Sequence, residues 1–149
     1  MSDDILRIIP TAPTFVPEAA AQAVALAQLR SAFPGADEVT AWVEPAVVFV
    51  DAGANFATVA CPRCAHGLAG EWWLMAMDRA AANHFVDLTV ALPCCGGNAS
   101  LNDLRYEWPQ GFARFAIDIR NPGGELAVDQ VARLGDVLGC ALRLIRAHY

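Results

Sequence analysis

Four of the chain's five cysteines sit in two short clusters, and any fold open to this sequence has to accommodate them. The first cluster is Cys61-Pro62-Arg63-Cys64. The second is Leu92-Pro93-Cys94-Cys95-Gly96-Gly97, and residues 65–93 separate Cys64 from Cys94. A Cys-x-x-Cys turn supplies two thiolates from one tight loop, and a distant second pair closes a tetrahedral shell of the kind zinc prefers. Buried free cysteines are common singly, but two clusters in a chain of 149 residues are far less easily reached by chance. The expected metal ligands are therefore Cys61, Cys64, Cys94 and Cys95, and the expected cofactor is a structural zinc ion.

The first half of this set, Cys61-Pro62-Arg63-Cys64, resembles the knuckle of zinc-ribbon and rubredoxin-like proteins. The resemblance covers that motif and the general strand-knuckle-strand layout. The second half departs from it. Cys95-Gly96 fits the end of another Cys-x-x-Cys-Gly, but Leu92 stands where its first cysteine would be, and the additional thiol is the adjacent Cys94. Neighbouring side chains of an extended strand point to opposite faces. Both thiols reach one metal only if the backbone turns sharply between them, as Pro93 before and Gly96-Gly97 after would allow. Otherwise one is a spectator and His66 or His84 supplies the fourth ligand. Cys140 stands apart and reads as a small core residue.

Other chemistries find less support. A thiol redox centre usually places its Cys-x-x-Cys at a helix start, whereas Ala65-His66-Gly67 follows Cys64 before any helix. A zinc deaminase needs His-x-Glu ahead of Pro-Cys-x-x-Cys, and no His-x-Glu is present. No nucleophile motif, phosphate loop or dinucleotide fingerprint occurs. The formal net charge is −6, and the cysteine-bearing segment is itself acidic, with Arg63, Arg79 and Arg105 against Glu71, Asp78, Asp87, Asp103 and Glu107. Since nucleic-acid affinity comes largely from clustered cations, this argues against a nucleic-acid partner. All ten basic residues are arginine, which together with the abundant alanine reads as genome composition bias in a chain of bacterial appearance. No run approaches the length of a membrane span, and the acidic Met1-Ser2-Asp3-Asp4 start has the wrong sign for a secretory signal. The expectation is a cytoplasmic protein, where clustered thiols stay reduced and bind metal.

Along the chain, Ile5 to Ile9 reads as a strand stopped by Pro10, followed by a helix from Pro17 to about Phe33. Val39 to Glu44 alternates like a half-buried strand, with a bulge or edge position at Pro45. Val47 to Val50, the turn at residues 51–55 and Phe56 to Ala60 read as a hairpin delivering the chain to Cys61. Glu71 to Ala82 reads as a helix, Phe85 to Leu92 as a strand by its alternation, and Asn98 to Gln110 as irregular. A strand at Phe112 to Arg120 follows, then a turn at Asn121-Pro122-Gly123-Gly124 and a helix from about Glu125, with Gly139 as candidate cap. The last segment, residues 140–149, is readable as helix or strand; the strand completes a sensible topology. The fold class expected is α+β: a ferredoxin-like, split βαβ sheet with two helices, as a single domain over 1–149, with a zinc-knuckle subdomain inserted at about 56–110.

These features fit best a non-catalytic binding or regulatory protein stapled by zinc. The alternatives are an enzyme with a pocket between the sheet and the inserted segment, or a thiol redox protein. Trp72, Trp73, His84, Asp103, Tyr106 and Trp108 are the candidates for a binding surface, although aromatics of this kind more often pack a subdomain against its neighbour. The partner, protein or small molecule, has no signature in the sequence. An edge strand near Pro45 or at the C-terminus would offer a homodimer a surface.

Overall fold

The computed structural model describes residues 2–149. It is a mixed α+β structure with three helices and a mostly antiparallel arrangement of strands. In chain order the elements are β1 (Asp4–Pro10), α1 (Ala19–Ala32), β2 (Glu38–Val50), β3 (Thr58–Ala60), α2 (Gly70–Ala82), β4 (Thr89–Ala91), β5 (Asn98–Ser100), a short 3-10 turn (Leu101–Asp103), β6 (Arg105–Glu107), β7 (Gly111–Arg120), α3 (Val128–Leu138) and β8 (Leu142–His148).

Four strands form the main sheet in the order β2-β7-β1-β8, each neighbour antiparallel. Alternation along these strands gives one face to α1 and α3. Leu6, Ile8, Phe115, Ile117 and Ile119 pack there against Ala25, Leu29 and Phe33 of the first helical segment and Leu134 and Leu138 of α3. Burying such side chains contributes roughly 1.5–3 kcal/mol each, which fixes the register of the central strands. On the opposite face, Ile9, Ala116 and Ile145 pack with Val50, Ala52 and Ala113. Beside them the Arg7 guanidinium donates to Asp118 at 3.2 Å and to the Tyr149 hydroxyl at 2.6 Å, and the Trp42 indole also donates to Asp118, at 3.2 Å.

Several local expectations are corrected. The hairpin read between Val47–Val50 and Phe56–Ala60 does not form, because β3 pairs instead with β6, from Thr58↔Glu107 to Ala60↔Arg105. β2 continues through Pro45 to Val50 as one edge strand rather than two, with the bulge expected at Pro45 present as a register shift between Val43 and Val48. The strand read over Phe85–Leu92 shrinks to Thr89–Ala91. His84 and Phe85 both take φ of 58°, and Phe85 N–H donates to Ala80 O at 2.8 Å, so the end of α2 uses these residues as its cap. Val86, within the stretch read as a strand, is exposed. The stretch read as irregular, Asn98 to Gln110, holds β5, the 3-10 turn and β6. At the C-terminus the chain does turn at Gly139, in the left-handed region with φ of 79°, and residues 142–148 are a strand.

Residues 51–110, between β2 and β7, carry all four clustered cysteines and have their own apolar centre. Val59, Leu68, Trp73, Ala76, Ala80, Leu92, Leu101 and Leu104 gather around Cys61, and Phe112 of β7 joins them from the main sheet. A buried polar hub ties the two parts together. Asn102, only 3% exposed, donates to Thr11 O at 3.0 Å and accepts from Phe112 N–H at 3.0 Å. Arg143 Nη1 lies 2.8 Å from Asn102 O, 3.0 Å from Asn102 Oδ1 and 2.9 Å from Gln110 O. Gly111 lets these groups close up, since a Cβ there would meet Arg143 Nη1 at 2.8 Å and Ile9 Cδ1 at 2.9 Å. No helix among the described residues is long and apolar enough to cross a membrane.

Candidate metal centre

Each cysteine cluster forms a tight loop at the end of a short strand, and the two loops are built alike. In the first, Ala65 N–H donates to Cys61 O at 3.0 Å and Cys61 N–H donates to His66 O at 2.9 Å. In the second, Gly96 N–H donates to Leu92 O at 3.0 Å and Leu92 N–H donates to Gly97 O at 2.8 Å. The fifth residue of each loop is left-handed, with φ of 62° at Ala65 and 72° at Gly96. Residues 61–66 therefore correspond one for one to residues 92–97. Cys61 matches Leu92, both almost fully buried, while Cys64 matches Cys95. The remaining thiol, Cys94, occupies the place that Arg63 holds in the first loop.

The loops face each other and bring the four Sγ atoms within 4.8 Å of one another. Cys61 lies 3.9 Å from Cys95 and Cys64 lies 3.4 Å from Cys94. A tetrahedral zinc tetrathiolate with bonds of about 2.3 Å has sulfur–sulfur edges of about 3.8 Å, so these separations fit a metal shell. They are well beyond the roughly 2.05 Å of a disulfide, and all five cysteines are free. The sharp turn that lets adjacent Cys94 and Cys95 reach one centre is the second loop itself. His66 and His84, the substitutes for a fourth ligand, do not belong to the cluster, and both are exposed.

The electrostatics of the thiols differ sharply around the ring. Burial opposes ionisation at Cys61, yet the backbone N–H groups of Cys64 and Arg63, at 3.4 and 3.3 Å from its sulfur, and the thiols of Cys94 and Cys64 outweigh it and bring the pKa down to about 6. Cys94 moves the other way, up to about 12, through burial, the thiols of Cys64, Cys61 and Cys95, and the charge on Cys61. Packed sulfurs thus hold one negative charge easily and resist the next, the condition in which a soft divalent cation is most strongly attracted. Cys140 lies outside this group, and burial pushes its thiol up.

The other candidate residues are scattered. Trp73 is 8% exposed, stacked on Phe56 at 5.0 Å, and donates from its indole to the Tyr106 hydroxyl at 3.2 Å. Tyr106 donates in turn to Leu101 O at 2.6 Å, and burial raises its pKa to about 12. These two rings therefore pack the segment's interior. Trp72 is half-buried and lines a groove beside α2, whereas Trp108 is 45% exposed over a different depression, shared with Asn55 and Arg146. His84 and Asp103 are exposed. The polar hub at Asn102, Gln110 and Arg143 went unread in the sequence, where nothing marks it except a glycine, Gly111, at the start of a strongly apolar strand. No protein family, no curated protein and no solved structure matches this chain.

Proposed function

We propose that the chain is a non-catalytic binding protein whose inserted segment is stapled by one structural zinc ion on Cys61, Cys64, Cys94 and Cys95. The convergence of four sulfurs within 4.8 Å, on two loops of the same backbone design, carries this reading. A metal ringed by four thiolates has no open position for water or substrate, so its contribution is to folding rather than to chemistry. Zinc is the simplest occupant of a tetrahedral all-sulfur shell, although iron prefers the same donors. The scaffold is read as a ferredoxin-like, split βαβ sheet with the zinc-knuckle subdomain between β2 and β7. The strand order β2-β7-β1-β8, with α1 and α3 on one face, supports that reading.

The test is metal analysis of protein purified without chelator, paired with a thiol count before and after denaturation. About one zinc per chain, with four thiols shielded until chelator is added, is the expected result. Iron in its place would keep the staple and change its identity. Absence of any metal, with four thiols that titrate or oxidise freely, would overturn the reading in favour of a thiol redox protein.

A further inference from the structure

A groove of about 470 Å³ runs between α2 and β4, on the side of the inserted segment that β5 does not cover. Its helical wall is the stripe Trp72, Ala76, Arg79, Ala80 and Asn83, and its opposite wall is Thr89 to Ala91, with Leu101 beneath. The alanines at 76 and 80 keep the helix surface low where a larger side chain would fill the gap. This volume lies within the range of ordinary ligand sites.

The strand wall is an open edge. β4 pairs with β5 in the register Thr89↔Ser100, Val90↔Ala99, Ala91↔Asn98, and Leu92 N–H donates to Gly97 O while Leu101 N–H donates to Leu88 O. Leu88, Val90 and Leu92 therefore direct their backbone groups to β5, and Thr89 and Ala91, which line the groove, direct theirs away from β5. One of these outward groups is already satisfied, because Thr89 N–H donates to the Asp87 carboxylate at 2.9 Å. That bond also holds the Asp87 carboxyl below the usual range. Three groups remain: the N–H and C=O of Ala91 and the C=O of Thr89. They match the hydrogen-bonding pattern of two alternate residues of an added antiparallel strand.

Arg79 is the groove's one cation, and its guanidinium forms no ion pair or hydrogen bond among the described residues, although its backbone O accepts from Asn83 Nδ2 at 3.4 Å. Asp87, the one anion in the wall, is occupied by the strand's own backbone. Arg79 is thus the charged side chain of this wall left without a partner, and a carboxylate is what it would pair with. We infer that this groove binds an extended peptide by strand addition to β4, with an acidic side chain of the peptide against Arg79 and apolar contacts on Trp72, Ala76 and Val90. Backbone pairing supplies affinity in such complexes and alternate side chains supply selectivity. The inference rests on the binding-protein reading and names the class of partner. β4 leads directly into the loop bearing Cys94 and Cys95, so the metal would hold this wall in place.

The experiment is to pan a phage-displayed random heptapeptide library on the zinc-loaded protein, then measure one enriched peptide by fluorescence anisotropy. Enriched sequences should carry Asp or Glu flanked by β-branched residues. Arg79→Gln, a change on an exposed helix surface, should weaken the acidic peptide by about 5-fold and leave its Gln-for-Glu analogue unaffected. N-methylation scanned along the peptide should weaken binding by about 10-fold or more at alternate positions only. No enrichment, no response to Arg79→Gln, or N-methyl effects without a two-residue period would each overturn the proposal. Metal content measured on the same preparation separates the two readings. Zinc without peptide binding removes the groove proposal alone, and peptide binding without metal removes the staple alone.

Discussion

Cys61 and Leu92 hold the same place in two loops of the same design, and the candidate ligand set is lopsided because only one of them carries sulfur. Both side chains are buried, so the first position of either loop also packs the segment's interior. Where Leu92 keeps that apolar role, the missing donor comes from two residues later, at solvent-facing Cys94. Cys94→Ser should therefore lower zinc affinity by more than the 10–100-fold typical of outer-shell changes, whereas Cys140→Ser should leave the stoichiometry intact. Competition with a chromophoric chelator reads both. A second residue-level expectation concerns Ala65, whose φ of 62° suits glycine. The left-handed conformation costs an L-residue about 1–2 kcal/mol, and the greater freedom of glycine in the unfolded chain returns part of it. Ala65→Gly should raise stability by roughly 0.5–1 kcal/mol in urea denaturation. At this scale the sequence was informative, because the cysteines announce themselves by spacing. What it hid was the equivalence of Leu92 to Cys61, which lies in backbone hydrogen bonds rather than residue type.

Among the elements, local signals and distant partners competed. Alternation from Val86 to Leu92 reads as a full strand, but the end of α2 captures Phe85 through its bond to Ala80 O, and Asn83 Oδ1 accepts from Asp87 N–H at 3.1 Å. A helix ending with its carbonyls satisfied outweighs a weak strand preference nearby. The expected hairpin failed for another reason. β3 finds its partner in β6, more than forty residues further along the chain, and no local pattern encodes that choice. The main strands and the two helices packed on them were legible because long periodic segments carry their own signal. The joint between sheet and insertion rests instead on Asn102, whose side chain serves Thr11, Phe112 and Arg143. Asn102→Leu should cost about 1–3 kcal/mol, since it leaves the buried Phe112 N–H unpaired and takes a partner from Thr11 O and from Arg143. Zinc stoichiometry should survive the change, which separates the joint from the metal centre. Chemical denaturation alongside metal analysis makes that distinction.

For the whole molecule, a metal on the proposed site would compete with protons for the same four sulfurs. Falling pH would protonate the thiolates and release a bound metal, so the stability gained from it should shrink as pH drops. In metal-free protein the Cys61 pKa is depressed to about 6. The stability it contributes is complete above the ordinary thiol value and lost as pH falls through about 6. Thermal melts of loaded and metal-free protein should consequently converge on acidification, and parallel curves would contradict the staple. The groove beside α2 was illegible in the sequence at this scale, because its walls come from residues 72–83 and 89–91 and meet only when the fold brings them together.

The sheet order has a kinetic corollary. β7 is central, and it pairs with β1, which is more than a hundred residues earlier, and with β2, from which residues 51–110 separate it. Closing that second loop is an entropic barrier that the chain must climb before either contact rewards it. Zinc held between the two cysteine clusters, as proposed, would short-circuit residues 65–93 and cut the open length to about half. Each halving of a flexible loop is worth about 0.6 kcal/mol, or about threefold in rate. Refolding followed by tryptophan fluorescence in a stopped-flow mixer should accelerate by that factor when the denatured chain carries zinc, making the metal a pacemaker of assembly as well as a clamp.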